Sequence, residues 1–316
     1  MNVTVTGVTG FVGSAIVERV SKDVSKYLIS VSRSKVVFSN SSERLPGKEL
    51  TGATDWSDIL HTCDVVIHSA ARVHVMNDTA EDPLQAFRAV NVDGTLQLAR
   101  QAAQSGVRRF IFISSVKVNG EGTERGKPYT AFDTPAPQDP YGISKMEAEH
   151  GLRDIAKATG MEVVIIRPVL VYGPGVKANF RSMMSWLYKG VPLPLGAIHN
   201  KRSLVSLDNL VDLIVTCIDH PAAANETFLV SDGEDLSTTE MLRRMGKALG
   251  QNARLVPVPA GLLEAGAVML GKRGVAQRLC GSLQVDIRHT RETLNWNPPV
   301  SVDDGFRAAA SAFLNE

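Results

Sequence analysis

The chain opens with a short β-rich run, Val3 to Thr6, that passes directly into Thr6-Gly7-Val8-Thr9-Gly10-Phe11-Val12-Gly13 and then into apolar residues at helical spacing from Phe11 to Val20. Strand, glycine turn and helix in that order begin a βαβ unit. The glycines divide the work. Gly7 permits the tight turn, Gly10 lets a pyrophosphate approach the backbone, and Gly13 lets the helix lie close on the strand. The helix start also leaves N–H groups free for phosphate. The turn is therefore expected to bind a dinucleotide through Gly7, Thr9, Gly10, Phe11, Val12 and Gly13.

The alternation continues downstream. Tyr27 to Ser32 reads as a second strand, and Asp64-Val65-Val66-Ile67-His68 as a buried one. Pro83 opens a long helix reaching about Gln104, since proline suits a first helical turn. Phe110 to Ile113 is the next strand and delivers Ser114 and Ser115; Asp139-Pro140 starts another helix; Val163 to Ile166 is a strand ending at Arg167-Pro168. Such alternation predicts an α/β fold, a doubly wound parallel sheet of Rossmann type, with ligands beyond the carboxyl ends of the strands. The glycine turn, His68-Ser69-Ala70-Ala71, Ser114-Ser115 and Arg167-Pro168 all fall at such ends. After Pro168, Pro174, Pro192, Pro194, Pro257, Pro259, Pro298 and Pro299 interrupt shorter elements. We therefore expect a dinucleotide-binding domain over residues 1–168 and a smaller C-terminal substrate-binding lobe over 169–316. Ser203 to Leu207 and Glu226 to Val230 read as strands returning to the main sheet. Ser39 to Ser42 reads as an exposed loop.

Net charge is +1 over 316 residues, with no long basic or acidic block, which removes the footprint of a nucleic-acid binder. Three scattered cysteines, Cys63, Cys217 and Cys280, fit a reducing, cytoplasmic setting and neither a disulfide framework nor a metal site. Met1-Asn2-Val3 lacks the basic start of a signal peptide. No apolar stretch approaches the ~20 residues of a membrane span. The nearest, Gly261 to Leu270, contains Glu264 and ends at Gly271-Lys272-Arg273. It reads as a helix of the smaller lobe, with a membrane-surface role as the alternative.

A tyrosine four residues before a lysine, in Tyr141-Gly142-Ile143-Ser144-Lys145, places phenol and ammonium on one helix face. A free tyrosine, with a pKa of about 10, is a poor acid–base catalyst at neutral pH, and a nearby ammonium lowers that value. Lys145 can also reach a nicotinamide ribose, and Ser115 can orient the same substrate oxygen. With the glycine turn, Ser115, Tyr141 and Lys145 predict hydride transfer at a carbon bearing oxygen. The second strand ends in Val31-Ser32-Arg33-Ser34-Lys35, without the acid that commonly binds the NAD ribose. Ser32 and Arg33 suit a 2′-phosphate, so NADP(H) is favoured over NAD(H). The other reading is that Arg33 stacks on adenine or is simply solvated.

Taken together, the chain resembles an extended short-chain dehydrogenase/reductase of the nucleotide-sugar epimerase/dehydratase group related to UDP-galactose 4-epimerase. The marks are Thr6-Gly7-x-x-Gly10-x-x-Gly13, His68-Ser69-Ala70-Ala71, Asn91-Val92-Asp93-Gly94-Thr95, Ser114-Ser115-Val116-Lys117-Val118-Asn119-Gly120, Tyr141-x-x-x-Lys145, Arg167-Pro168 with Val171-Tyr172-Gly173-Pro174-Gly175, and Arg202 ahead of Val205-Ser206-Leu207-Asp208-Asn209-Leu210. The resemblance implies that Ala70, Ala71 and Pro168 line the cofactor with Tyr141 and Lys145, that Asn91 braces the active-site helix, and that Ser115 is the catalytic serine. It implies that Asn179 and Arg202 hold the diphosphate of a UDP-sugar, and that two copies pair through the Tyr141 helix and the long helix before Gln104. Three positions depart from the pattern: the ribose acid is absent, Lys117-Val118-Asn119-Gly120 replaces Thr-x-Tyr-Gly and puts Lys117 near or on the rim of the sugar site, and Leu170 stands where asparagine is common. The resemblance to O-antigen sugar enzymes and the Ser32-Arg33 ending favour reduction of a UDP-2-acetamido-2,6-dideoxy-4-keto-hexose. A UDP-glucose or UDP-N-acetylglucosamine 4-epimerase is the alternative, and a non-catalytic dinucleotide sensor the remote one.

Overall fold

Strands that are apolar at nearly every position need cover on both faces, and Val65-Val66-Ile67-His68 and Arg109-Phe110-Ile111-Phe112-Ile113 are buried throughout. The computed structural model describes residues 1–39, 44–73, 81–271 and 273–315. The first half runs β1 (Asn2–Thr6), α1 (Phe11–Ser21), β2 (Tyr27–Val31), β3 (Lys35–Phe38), β4 (Arg44–Pro46), α2 (Ser57–Leu60), β5 (Val65–His68), α3 (Pro83–Arg88), α4 (Thr95–Gln104), β6 (Arg109–Ile113), α5 (Pro140–Thr159) and β7 (Glu162–Pro168). Then follow β8 (Leu170–Tyr172), α6 (Ala178–Tyr188), β9 (Arg202–Ser206), α7 (Leu207–Asp219), β10 (Thr227–Val230), β11 (Asp235–Leu236), α8 (Thr238–Ala248), α9 (Ala260–Met269), α10 (Arg273–Cys280), α11 (Arg288–Leu294) and α12 (Val302–Leu314).

The main sheet has the order β10-β7-β6-β5-β1-β2-β3-β4. From β10 to β2 every pairing is parallel, and β3 and β4 add an antiparallel edge. The chain leaves β1 toward β2 and later jumps back to β5 on the other side, so the order reverses between β1 and β5. Ligands of open α/β sheets bind beyond the strand ends at such a reversal. Alternate strand residues feed two cores. Val3, Val5, Val65, Ile67, Ile111 and Ile166 pack under α1 and α7. Ile29, Val66, Phe110, Phe112, Val163 and Ile165 pack under α4 and α5. A third core, built from Tyr172, Phe180, Met184, Leu242, Met245 and Phe306, lies among α6, α8 and α12.

Several expectations need correction. The second strand ends at Val31, one residue early, because Ser32 turns the chain into β3. The helix from Pro83 is interrupted by a π-helical turn over Ala89–Gly94. Of the two segments expected back in the main sheet, β10 does return and pairs with β7, whereas β9 joins a separate sheet of order β11-β9-β8. Asp232, just after β10, joins the two. Its carboxylate accepts from the Ser206 N–H (2.8 Å), the Asn209 amide (2.6 Å) and the Tyr172 hydroxyl (2.7 Å). Most of the loop expected at Ser39 to Ser42 lies outside the described residues.

Candidate active site

At the end of β1, Gly7 has φ +76°, and a Cβ there would stand 2.6 Å from the Ala70 nitrogen. A Cβ on Gly13 would stand 2.1 Å from the Gly7 carbonyl oxygen, so α1 sits directly on the turn. Gly10 is the N-cap of α1 and offers no side-chain acceptor. The first-turn N–H groups, those of Phe11 and Val12 among them, have no partner within the helix and suit an anion. Thr9 and Gly10 are exposed. Across the order reversal, Ser69 donates to the Thr6 carbonyl (2.7 Å), which holds Ala70 and Ala71 against the turn. His68 is spent on structure: its ring nitrogens meet Thr6 Oγ1 (2.7 Å) and Thr95 Oγ1 (3.0 Å), and burial pushes its pKa down to about 3. The cradle thus fits a dinucleotide. At the ribose end, the Ser32 hydroxyl is engaged within its own turn, donating to the Lys35 carbonyl (2.9 Å) and accepting the Lys35 N–H (3.1 Å), while Arg33 and Lys35 are exposed.

The helix α5 begins cleanly because Asp139 caps it, accepting the Gly142 N–H at 2.7 Å, and Pro140 takes the first position. Tyr141, Lys145 and Glu149 recur every fourth residue and share the face toward β6 and β7. Lys145 is buried; its ammonium donates to the Ile113 carbonyl (2.8 Å) and lies 4.4 Å from the Phe112 ring centre and 5.9 Å from that of Tyr141. Burial pushes the Lys145 pKa down to about 7, opposed by the Glu149 carboxylate. Burial, with the charge of Asp139, pushes the Tyr141 phenol above its ordinary value. Burial thus favours the neutral form of each group alone, whereas a phenolate–ammonium pair stabilises both charges at once. Of the two serines, Ser114 is taken up, donating to Glu149 at 2.6 Å. Ser115 is half-buried, and its hydroxyl accepts the Lys117 N–H at 3.2 Å.

Sequence reasoning missed the ionic bed beneath these residues. Glu149 is fully buried and receives both the Nε (2.9 Å) and an Nη (2.5 Å) of Arg167. Arg167 also donates to Asn119 Oδ1 (3.1 Å). The fourth-residue spacing after Lys145 was the available signal. Asn91, on the π-helical turn, donates to Ser144 Oγ (3.0 Å) and exchanges two hydrogen bonds with the Arg72 backbone (2.8 and 3.0 Å), the bracing that the resemblance implied. Lys117, expected near the sugar site, is paired with Asp139 and with Glu121 (3.1 Å), which ties the segment after Ser115 to the start of α5.

The residues expected to bind diphosphate stand apart from this trio. Arg202, half-buried on β9, donates to the Gly281 carbonyl (3.1 Å), and among the described residues it meets no carboxylate. Burial holds its pKa below the usual arginine value, so a bound polyanion would relieve an uncompensated charge. Asn179 is exposed on the first turn of α6. A cleft of about 560 Å³ runs from Thr9, Gly10 and Phe11 past Lys177 to α7, beside the phosphate turn; Ser115, Tyr141 and Lys145 do not line it.

Comparison with known proteins agrees with this geometry. Over 314 residues, 99% of this chain and 95% of the relative, the sequence is 51% identical to a UDP-glucose 4-epimerase of Vibrio cholerae. It is 25% identical over 259 residues, 78% of this chain and 79% of the relative, to a GDP-6-deoxy-D-mannose reductase of Pseudomonas aeruginosa. The crystal structure of UDP-N-acetylglucosamine 4-epimerase from Bacillus cereus superposes with a TM-score of 0.78 at 19% identity, covering 100% of this chain and 99% of that one. A model of the NAD dependent epimerase/dehydratase family matches residues 3–231, and the chain belongs to that family.

Proposed function

We propose that this protein interconverts UDP-hexoses, or UDP-N-acetylhexosamines, that differ at C4. The observation carrying the proposal is the full-length 51% identity to a protein named for that reaction. It reverses the order of the two expectations, which put 4-keto reduction first. A bound nicotinamide dinucleotide supplies the hydride acceptor and the returning hydride. This chain supplies the rest. Ser115 donates a hydrogen bond to the C4 oxygen, and Tyr141, held as a phenolate by the Lys145 ammonium, takes the C4 hydroxyl proton and becomes a phenol as the hydride leaves C4. After the keto-sugar turns over in the site, Tyr141 returns the proton to the C4 oxygen on the opposite configuration. Arg202, with Asn179, holds the diphosphate throughout, so the sugar can rotate without leaving.

One observation favours the second reading, one-way reduction of a UDP-4-keto-6-deoxy sugar: β2 ends without an acid and with Arg33 exposed, which suits the 2′-phosphate of NADPH. Purified protein incubated with UDP-glucose or UDP-N-acetylglucosamine and no added cofactor should yield the C4 epimer. Stoichiometric NADPH consumption with a UDP-4-keto-6-deoxy-N-acetylhexosamine, and no epimer from the first pair, would replace the proposal by the reductase.

A further inference from the structure

The helix α9 leaves most of its large apolar side chains outside the core. None of its residues is buried. Leu262, Val268, Met269 and the following Leu270 are 66%, 57%, 88% and 75% exposed, with Val256 before the helix and Val275 on α10 adding 47% and 41%. At about 100° per residue, Leu262, Met269 and Leu270 fall in one stripe roughly 100° wide, with Ala265 beside it and Glu264 outside it. Leu263, about 20° beyond Leu270 on the same wheel, packs with Ala260 at the edge of the third core. The lobe is thus already closed beneath α9, and the outer stripe is surplus to folding.

Charge follows the same segment. Residues 251–280 carry Arg254, Lys272, Arg273 and Arg278 against the single acid Glu264, in a chain whose net charge is only +1. The helix is too short to span a bilayer, and exposed apolar side chains beside a local excess of cations suit the surface of an anionic membrane. We propose that α9 and α10 form a membrane-surface dock whose exposed apolar side chains enter the headgroup boundary of an anionic bilayer, with Arg254 and Arg278, both exposed, on lipid phosphates. The dock ends where the site begins: Gly281, directly after α10, offers the carbonyl that holds Arg202.

The test is flotation of the full-length protein with vesicles of phosphatidylglycerol and phosphatidylcholine in equal parts, against phosphatidylcholine alone. The dock predicts flotation with the anionic vesicles, at least tenfold weaker binding for Met269→Glu/Leu270→Glu and for Arg278→Glu, and weakening at high salt. These side chains lie outside the catalytic machinery, so thermal unfolding of the variants should match wild type. No flotation with either vesicle, or flotation unchanged by the variants, overturns the proposal. So does self-association of the free protein that Met269→Glu/Leu270→Glu abolishes without any vesicle binding, which would make the stripe a contact between copies of this chain.

Discussion

Replacing Lys145 with methionine should abolish turnover and, in the cofactor-free protein, remove a specific pH dependence of stability. Lys145 is 2% exposed, and its pKa falls from 10.5 to about 7 on burial. Between those values the unfolded chain holds a proton that the folded one does not, so stability rises with pH across that window. Below pH 7 both states are protonated, and the folded protein bears the whole cost of burying the ammonium, on the order of 5 kcal/mol at 1.36 kcal/mol per pH unit. From pH 7 to pH 9 wild type should gain about 2 kcal/mol from this group. Methionine fills a similar volume without the charge, although it leaves the Ile113 carbonyl without its donor, which costs about 1–3 kcal/mol. Urea denaturation of both proteins at pH 6, 7, 8 and 9 measures the difference. Cys63 and Cys217 owe their shifts to burial and not to Lys145, and His68, held low chiefly by its own burial, stays neutral in this range, so the difference between the two proteins reports Lys145. A difference that does not change between pH 7 and pH 9 would refute the reasoning, because the lysine would then be titrating as it does in water.

Three further outcomes follow from the same geometry. Tyr141→Phe should lower kcat by about 10²–10⁴ with KM nearly unchanged, since only the proton relay is lost; full activity would show that Tyr141 does not move the proton. Glu149→Gln leaves Arg167 buried without its counter-charge and should cost about 3–5 kcal/mol in urea unfolding, and a loss below about 1 kcal/mol would show that the pair is open to solvent. Lys117→Ala breaks the tie to Asp139 and should lower thermal stability while leaving KM for the UDP-sugar within about twofold, whereas a rise in KM of tenfold or more would put the ammonium on substrate.

The parts legible in the sequence were those written locally. A strand, three spaced glycines and a helix gave β1, the turn and α1 because each depends on near neighbours, and Tyr141 to Lys145 is one helical turn. What escaped was decided at long range. Lys35 to Phe38 is a short β-prone run without alternation, and its antiparallel pairing with β2 is a tertiary choice. Nothing between Ala89 and Asp93 marks the π-helical turn, whose use is seen only when Asn91 meets Ser144, 53 residues away. β9 and β10 are both short β-prone runs, and the link that Asp232 makes by gathering Ser206, Asn209 and Tyr172 is visible only in the fold. Lys117 looked like a substrate ligand because its partners Glu121 and Asp139 approach it only in the fold.

The central claim is that hydride removed from C4 returns to the same carbon within one bound sugar. A UDP-hexose deuterated at C4, incubated with the protein and no added cofactor, tests it by NMR. The account predicts conversion to the C4 epimer with the deuterium retained at C4 in both sugars. Loss of the label from C4 in the epimer formed, or no inversion at all, would contradict it.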